Sequence, residues 1–308
     1  MAIAARVKPT DYFTPQEWNR LSARSSWKGL ALVAHGWAVV GLTMVVGAIW
    51  PITIPFGIMI VGARQLGLAI LQHDAAHGAL HPNLKINDWV AEWFCSPGVQ
   101  RYRDYHLQHH KFAQQAEDPD LVLSAPFPIT LTSLRRKIAR DLTGRTFFKQ
   151  RFGSSFNRIK NRKPGQSLLP LIIAELRRHR RFLIANGLGL TVFSLVGYGW
   201  IYVVLWLVPM ATWFPMITRL RNIAEHALVA KDEPDPLRHA RTTKANLIER
   251  MLIAPYWVNY HCEHHMFMHM PCWNLPKAHR ILAAKGFTAQ MEVQTGYRTV
   301  LTAAASAA

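Results

Sequence analysis

Cysteine is scarce in this sequence, and what there is cannot staple a fold. The three residues, Cys95, Cys262 and Cys272, form no CxxC pair and leave an odd number, which excludes a disulfide scaffold. Charge is scarce too, at 18% of 308 residues, where a soluble domain carries about 25%. The deficit is concentrated. Between Gly29 and Gln72 the only charged side chain is Arg64, and from Phe182 to Thr218 there is none; such runs are too long for the core helices of a soluble protein. What the chain has instead is 50% hydrophobic residues, a net charge of +18 and fifteen histidines.

A bilayer crossing takes ~17–25 residues to span ~30 Å of hydrocarbon, so each charge-poor run has the length of two crossings. The first is expected to go out over 30–49, turn at Trp50-Pro51-Ile52-Thr53-Ile54-Pro55 and return over 56–71, prolines suiting a turn because they donate no backbone hydrogen bond. The second is expected to turn around Gly197-Tyr198-Gly199-Trp200, with Arg180, Arg181 and Arg219 snorkelling at its ends. Of the thirty-six lysines and arginines, five precede the first run, nineteen lie between His73 and Arg181, and eleven follow from Arg219. Neither hairpin turn carries one, so the positive-inside rule places both termini and the segment between the hairpins on the cytoplasmic side, whether of a bacterial inner membrane or of the endoplasmic reticulum. The basic surplus on that face suits anionic headgroups, and no nucleic-acid motif accompanies it.

The expected fold is therefore an all-α integral membrane protein, four transmembrane helices in two hairpins under a cytoplasmic helical cap. Residues 1–29 form an uncleaved cytoplasmic leader, 30–72 the first hairpin, 73–181 cytoplasmic and interfacial helices, 182–218 the second hairpin, 219–300 a cytoplasmic segment and 301–308 a disordered Ala-rich tail. Breaks are expected at Pro126-Phe127-Pro128 and over 161–165.

Nine of the histidines fall into four groups. His73 and His77 stand at i and i+4, so both imidazoles share one helical face. His106-Leu107-Gln108-His109-His110 and His261-Cys262-Glu263-His264-His265 are two HxxHH groups. In each, residues i and i+3 are expected to share a face while the adjacent histidine reaches a second metal. Asn222 and His226 again stand at i and i+4, just after the last expected crossing. All four groups lie at cytoplasmic exits, where a compact fold can bring them to one depth. Neutral imidazole suits Fe, Zn, Cu or Ni, and eight or nine nitrogens are too many for one ion; a structural zinc site needs only four ligands, usually with Cys among them.

With these boxes the sequence resembles the membrane fatty acid desaturase and hydroxylase superfamily, whose three histidine boxes read HxxxH, HxxHH and HxxHH. The resemblance runs from about Gly62 to His279 and includes Gly78 after the first box, Glu117-Asp118-Pro119-Asp120 after the second, and Pro271, Leu275, Pro276 and His279 after the third. It implies a non-haem di-iron centre, two Fe ions held by His73, His77, His106, His109, His110, His261, His264 and His265, which activates O2 and removes hydrogen from a methylene, with no catalytic side chain beyond the metals. It also implies His226 as a further ligand and Asn222 as one acting through a water. The activity implied is an O2-dependent fatty acyl desaturase acting on an acyl-lipid or acyl thioester; a hydroxylase or ketolase of a carotenoid, sphingolipid or alkane is the alternative, and a haem-binding membrane electron carrier a remote one.

Asp74, Glu225 and Glu263 sit inside the boxes and are expected to accept the outer ring N–H of a ligating histidine, with Asp118 and Asp120 as weaker candidates. Arg64 in the second crossing lines a substrate tunnel, anchors an interhelical network, bonds backbone carbonyls or marks a misplaced span boundary. His35, His81, His179, His239, His269 and His279 read as packing histidines, and Trp27, Trp50 and Trp200 as interfacial anchors. The chain has no GxGxxG, no CxxC and no HPGG segment, so its electrons are expected from a separate ferredoxin or cytochrome b5 docking on the basic face.

Overall fold

The computed structural model describes residues 7–124, 126–163 and 165–307; the first six residues of the expected leader, Pro164 of the expected break and Ala308 lie outside them. α1 (Pro15–Ser22) opens with a capping box between Thr14 and Glu17. α2 (Lys28–Ile49) and α3 (Ile54–Ala76) are joined by the tight turn Pro51–Thr53. α4 (Leu84–Val90) passes through a π-turn to α5 (Val99–Phe112). Then come α6 (Leu121–Ser124), α7 (Leu131–Leu142), α8 (Arg145–Lys160) and α9 (Leu168–Leu195). The helix breaks at Val196-Gly197-Tyr198, where Gly197 takes φ +82°, a conformation that glycine adopts without steric cost. After it come α10 (Gly199–Tyr202), a π-turn over Val203–Leu207, α11 (Val208–Ala211) and α12 (Trp213–His226). The rest holds β1 (Arg241–Lys244), α13 (Leu247–Leu252), α14 (His261–Met266), α15 (Leu275–Ala284), β2 (Glu292–Thr295) and α16 (Gly296–Ala304).

Four features depart from the expectation. The fold is mostly helical, but β1 and β2 pair in parallel, Arg241 opposite Glu292 and Lys244 opposite Thr295; the three helices between them supply the long crossover a parallel pair needs. Residues 301–307 of the tail are ordered where disorder was expected. Leu301–Ala304 complete α16, alanine being the best helix former, and the Ile129 backbone brackets them by donating to Ala304 O at 2.9 Å and accepting from Ala307 N at 3.2 Å. The boundary expected between 181 and 182 falls inside one helix, since α9 runs through Arg177, Arg178, Arg180 and Arg181 without interruption. Its uncharged part, Phe182 to Leu195, rises roughly 21 Å at 1.5 Å per residue. Three helical segments among the described residues, rather than four, are long and apolar enough to cross a membrane: Lys28–Ile49, Pro51–Ala76 and Gly199–His226.

The chain forms two units. One comprises Val40–Gly62 and Arg136–Met216. Its core joins Val40, Met44, Val61, Ile201 and Leu205, with Phe193 and Trp206 packed against them. Asn186 pins α9 to the helix after the turn: its Oδ1 accepts from Tyr202 Oη at 3.0 Å and Trp206 Nε1 at 3.1 Å.

The other unit comprises Met1–Val39, Ala63–Arg135 and Ile217–Ala308, and holds all nine grouped histidines. Its N-terminal stretch is built in rather than loose. Phe13 and Leu21 are buried, and Lys285 Nζ bonds Glu17 at 2.5 Å. Gly67 admits the Tyr256 ring, which would stand 2.7 Å from a Cβ at that position. Tyr256 in turn donates to Leu32 O at 3.0 Å and meets His35 Nδ1 at 3.1 Å, while Arg64 lies over its ring and donates to Met251 O at 2.9 Å. Of the readings open for Arg64, the structure contains the backbone carbonyl and, through the Tyr256 ring, a network that reaches α2, and His35 is a packing histidine.

Candidate metal centre

The last carbonyls of an α-helix have no partner within it and carry its negative dipole end. His73 and His77 sit at such an end, and Arg103 closes it. Arg103, one turn before His106 on α5, donates from Nε to Ala76 O at 2.8 Å and from Nη2 to Ala75 O at 3.0 Å, and is itself held by Asp88 at 2.5 Å. Buried Asn87 adds a bond to Ala75 O at 2.9 Å and accepts the Leu80 N–H at 3.1 Å. The first box is thereby clamped to the second. Arg241 repeats the device on α12, donating to Ala227 O at 2.8 Å and Ala224 O at 3.3 Å, beside His226. Neither arginine is singled out by the sequence; the structure buries Arg241 and half-buries Arg103.

The nine imidazoles come together in two groups. His73, His77, His106, His110 and His264 each offer a ring nitrogen, all within 4.8 Å of one another, and His109, His226, His261 and His265 do the same. Nε2 atoms face each other at 3.0 Å in His106–His110, His110–His264 and His226–His261, and at 3.2 Å in His261–His265. The groups adjoin, with the His110 and His265 ring centroids 4.3 Å apart.

The split corrects the expected pairing. In each HxxHH box it is i and i+4 that share a group, while the middle histidine turns to the other. Successive helical residues are about 100° apart, so i+4 lies nearer to i in azimuth than i+3 does, and the adjacent pair diverges by a full 100°.

The donor set fits a pair of cations. Neither ring nitrogen of buried His73 or His77 has a hydrogen-bond partner, an arrangement that costs about 1–3 kcal/mol per group unless something accepts the lone pairs. Burial first, then the neighbouring histidines, pushes His77, His106, His110, His261, His264 and His265 well below the usual imidazole range, so these rings are neutral donors. No thiol joins them. Burial pushes Cys95 up to about 12, and Cys262 and Cys272 also well above the usual thiol range. An all-imidazole set suits Fe, Zn, Cu or Ni.

The acids are rearranged relative to expectation. Asp118, the weaker candidate, is the one that holds a grouped histidine from outside: its Oδ1 lies 2.8 Å from His109 Nδ1. Asp120 stands farther off at 3.9 Å and accepts instead from the Tyr105 hydroxyl. Asp74 accepts the Cys272 N–H at 2.9 Å and lies 3.7 Å from His73 Nδ1, beyond hydrogen-bond reach. Glu263 touches no grouped histidine; α14 turns it toward the Thr242 hydroxyl and His279 Nδ1 at 2.5 Å. Glu225 is bonded by Arg221 Nε at 2.6 Å, and its other oxygen lies 3.4 Å from the inner nitrogen of His261, not the outer one. Asn222 lines a cavity with Tyr102, Leu123, Arg221, Glu225 and the rings of His106, His109, His226 and His261. The other histidines are engaged elsewhere, among them His239 on Glu233 O at 2.6 Å, His269 on His77 O at 3.1 Å and His179 on Ser155 at 2.9 Å.

Long apolar helices ending in two adjacent all-histidine groups define a candidate two-metal centre of the histidine-box kind. The chain belongs to the fatty acid desaturase family, whose model matches residues 48–292 and so encloses all four histidine groups. It is 26% identical over 242 residues to the dihydrorhizobitoxine desaturase of Bradyrhizobium elkanii, covering 74% of this chain and 67% of that one. It is also 26% identical over 226 residues to the beta-carotene ketolase of Paracoccus sp. (strain PC1), covering 70% and 75%. Family and relatives make it an oxidoreductase of the desaturase or oxygenase type.

Proposed function

We propose that this chain is an integral membrane desaturase in which the nine histidines hold two iron ions and a double bond is introduced into an acyl chain of a lipid. The balanced reaction takes one O2, two electrons and two protons, converts a –CH2–CH2– unit to –CH=CH– and releases two waters. Bound iron supplies the oxidising power toward an aliphatic C–H bond that no side chain has. The protein's part is to present neutral imidazoles in two groups, to exclude bulk water by burying them, and to fix ring orientation from outside, as Asp118 does for His109. The cavity beside His106, His109, His226 and His261, with Tyr102 and Leu123 on its wall, is where the reacting methylene is received.

The observation that carries this reading is the division of nine imidazoles, seven buried and two half-buried, into groups of five and four. A haem takes one or two axial ligands, so such groups exceed what a haem carrier uses. Membrane insertion is supported by the three long apolar segments. We assign the fourth crossing to the C-terminal half of α9, which carries an open apolar face: Ile184, Leu188, Val192 and Leu195 are all exposed, and its arginines sit at headgroup level. Both termini then lie on the cytoplasmic side, where a ferredoxin or cytochrome b5 delivers electrons.

A second reading, oxygen insertion on the same scaffold, is favoured by the ketolase relatives, which match at the same identity as the desaturase. Expression in a lipid-producing host followed by mass spectrometry of total lipid extracts decides between them. Loss of two hydrogens from acyl chains supports desaturation, gain of oxygen supports the second reading, and an unchanged lipid profile with iron and reductant supplied overturns both.

A further inference from the structure

Glu225 differs from every other acid near the histidines in the side from which it approaches. Asp118 meets His109 at the outer Nδ1. Glu225 Oε2 instead lies 3.4 Å from His261 Nε2, the same nitrogen that faces His226 Nε2 at 3.0 Å and His265 Nε2 at 3.2 Å. The carboxylate oxygen thus approaches the ring nitrogen that His261 turns toward its group, though it does not lie within 4.8 Å of all four ring nitrogens and would have to move inward to share their metal. Building on the two-metal reading, we propose that Glu225 is the fifth donor of the four-histidine group, sharing its metal with His109, His226, His261 and His265.

Three further observations support this. The groups hold five and four imidazoles, and a carboxylate brings the second to five donors. The Glu225 side chain is only 2% exposed, and its Oε1 is taken by Arg221 at 2.6 Å, which orients Oε2 inward; a buried carboxylate needs cationic or hydrogen-bonding partners on both oxygens. The cavity touches three histidines of the four-histidine group but only His106 of the other, so the open face belongs to the metal that Glu225 would serve. The two metals are then unequal in charge environment, one among neutral imidazoles alone and one beside a carboxylate that favours the higher-valent ion.

The test is Mössbauer spectroscopy and iron quantitation on the full chain loaded with isotopically enriched ferrous iron. In Glu225→Gln one of two iron signals should shift or vanish while the other stays, with binding at that position weakened roughly tenfold or more, and Glu225→Asp should restore part of it. Two unchanged signals and full iron content in Glu225→Gln overturn the proposal. Should that variant fail to fold, infrared difference spectra of wild-type chain carrying labelled glutamate decide: a carboxylate band that shifts on metal addition supports ligation, and no shift overturns it. Failure of the desaturase reading looks different, as two bound irons with the expected spectra and no O2-dependent product.

Discussion

His109 Nδ1 and Asp118 Oδ1 stand 2.8 Å apart with both side chains buried. Asp118 is aimed by the turn after α5, not by the histidine: it also accepts the backbone N–H of Gln114 at 3.0 Å and of Asp120 at 2.8 Å. The contact holds His109 with a proton on Nδ1 and the Nε2 lone pair facing its group. Asp118→Asn is therefore expected to weaken metal binding about 10–100-fold, leaving membrane insertion unchanged. Iron titration of the purified variant checks this, and wild-type affinity would remove Asp118 from the site.

The five-and-four division makes a sharper prediction than loss of activity. His264→Ala takes a donor from the first group and His109→Ala from the second, so each variant should lose turnover and fall from two irons per chain toward one. His179→Ala, whose ring bonds Ser155 and lies in the other unit, should keep both. Equal iron content in all three proteins would mean that the groups do not bind the metals.

What was legible in the sequence is what depends on local spacing. The i, i+4 relation of His73 and His77, the proline turn after α2 and the glycine break after α9 follow from short-range geometry. What was not legible depends on residues far apart in the chain. Glu263 was expected to face a histidine because it lies inside the third box, yet Thr242 and His279 claim it. Arg103 and Arg241 looked like two of many surface arginines, and only the fold shows that each ends a helix bearing a grouped histidine. The pairing in the HxxHH boxes belongs with what local spacing determines, since about 100° per residue already puts i+4 nearer to i than i+3, and the i, i+3 expectation did not apply that rule.

Arg103 is expected to be more important to stability than its sequence position suggests. It satisfies Ala75 O and Ala76 O and pairs with Asp88, and each hydrogen bond from a charged donor to a buried acceptor is worth about 1.5–3 kcal/mol. Arg103→Ala should lower the unfolding free energy by roughly 3 kcal/mol or more and loosen the first box. Arg103→Lys should rescue little, because one ammonium cannot reach two carbonyls and a carboxylate together. Arg158→Ala is the control: its side chain is 45% exposed against Glu175, so solvent screening should keep the loss well below that at Arg103. Thermal unfolding of the three variants in detergent measures the order, and a milder effect at Arg103 than at Arg158 would contradict the cap.

Acid should release the metals and unfold the site together. His77, His106, His110, His261, His264 and His265 are held well below the ordinary 6.5 by burial and then by one another. Below about 6.5 the unfolded chain takes up protons that the folded rings refuse, so unfolding is favoured as pH falls, by about 1.4 kcal/mol per pH unit for each proton of difference. Above that value both states are neutral and the contribution is complete and flat. Metal binding works in the same direction, since each ligand must stay deprotonated. The melting temperature and the retained iron should therefore be level between about pH 7 and 8 and drop together from about pH 6.5 to 5.5. Iron held undiminished at the acid end, or a stability that peaks there, would show that these rings are protonated in the folded protein and are not available as donors.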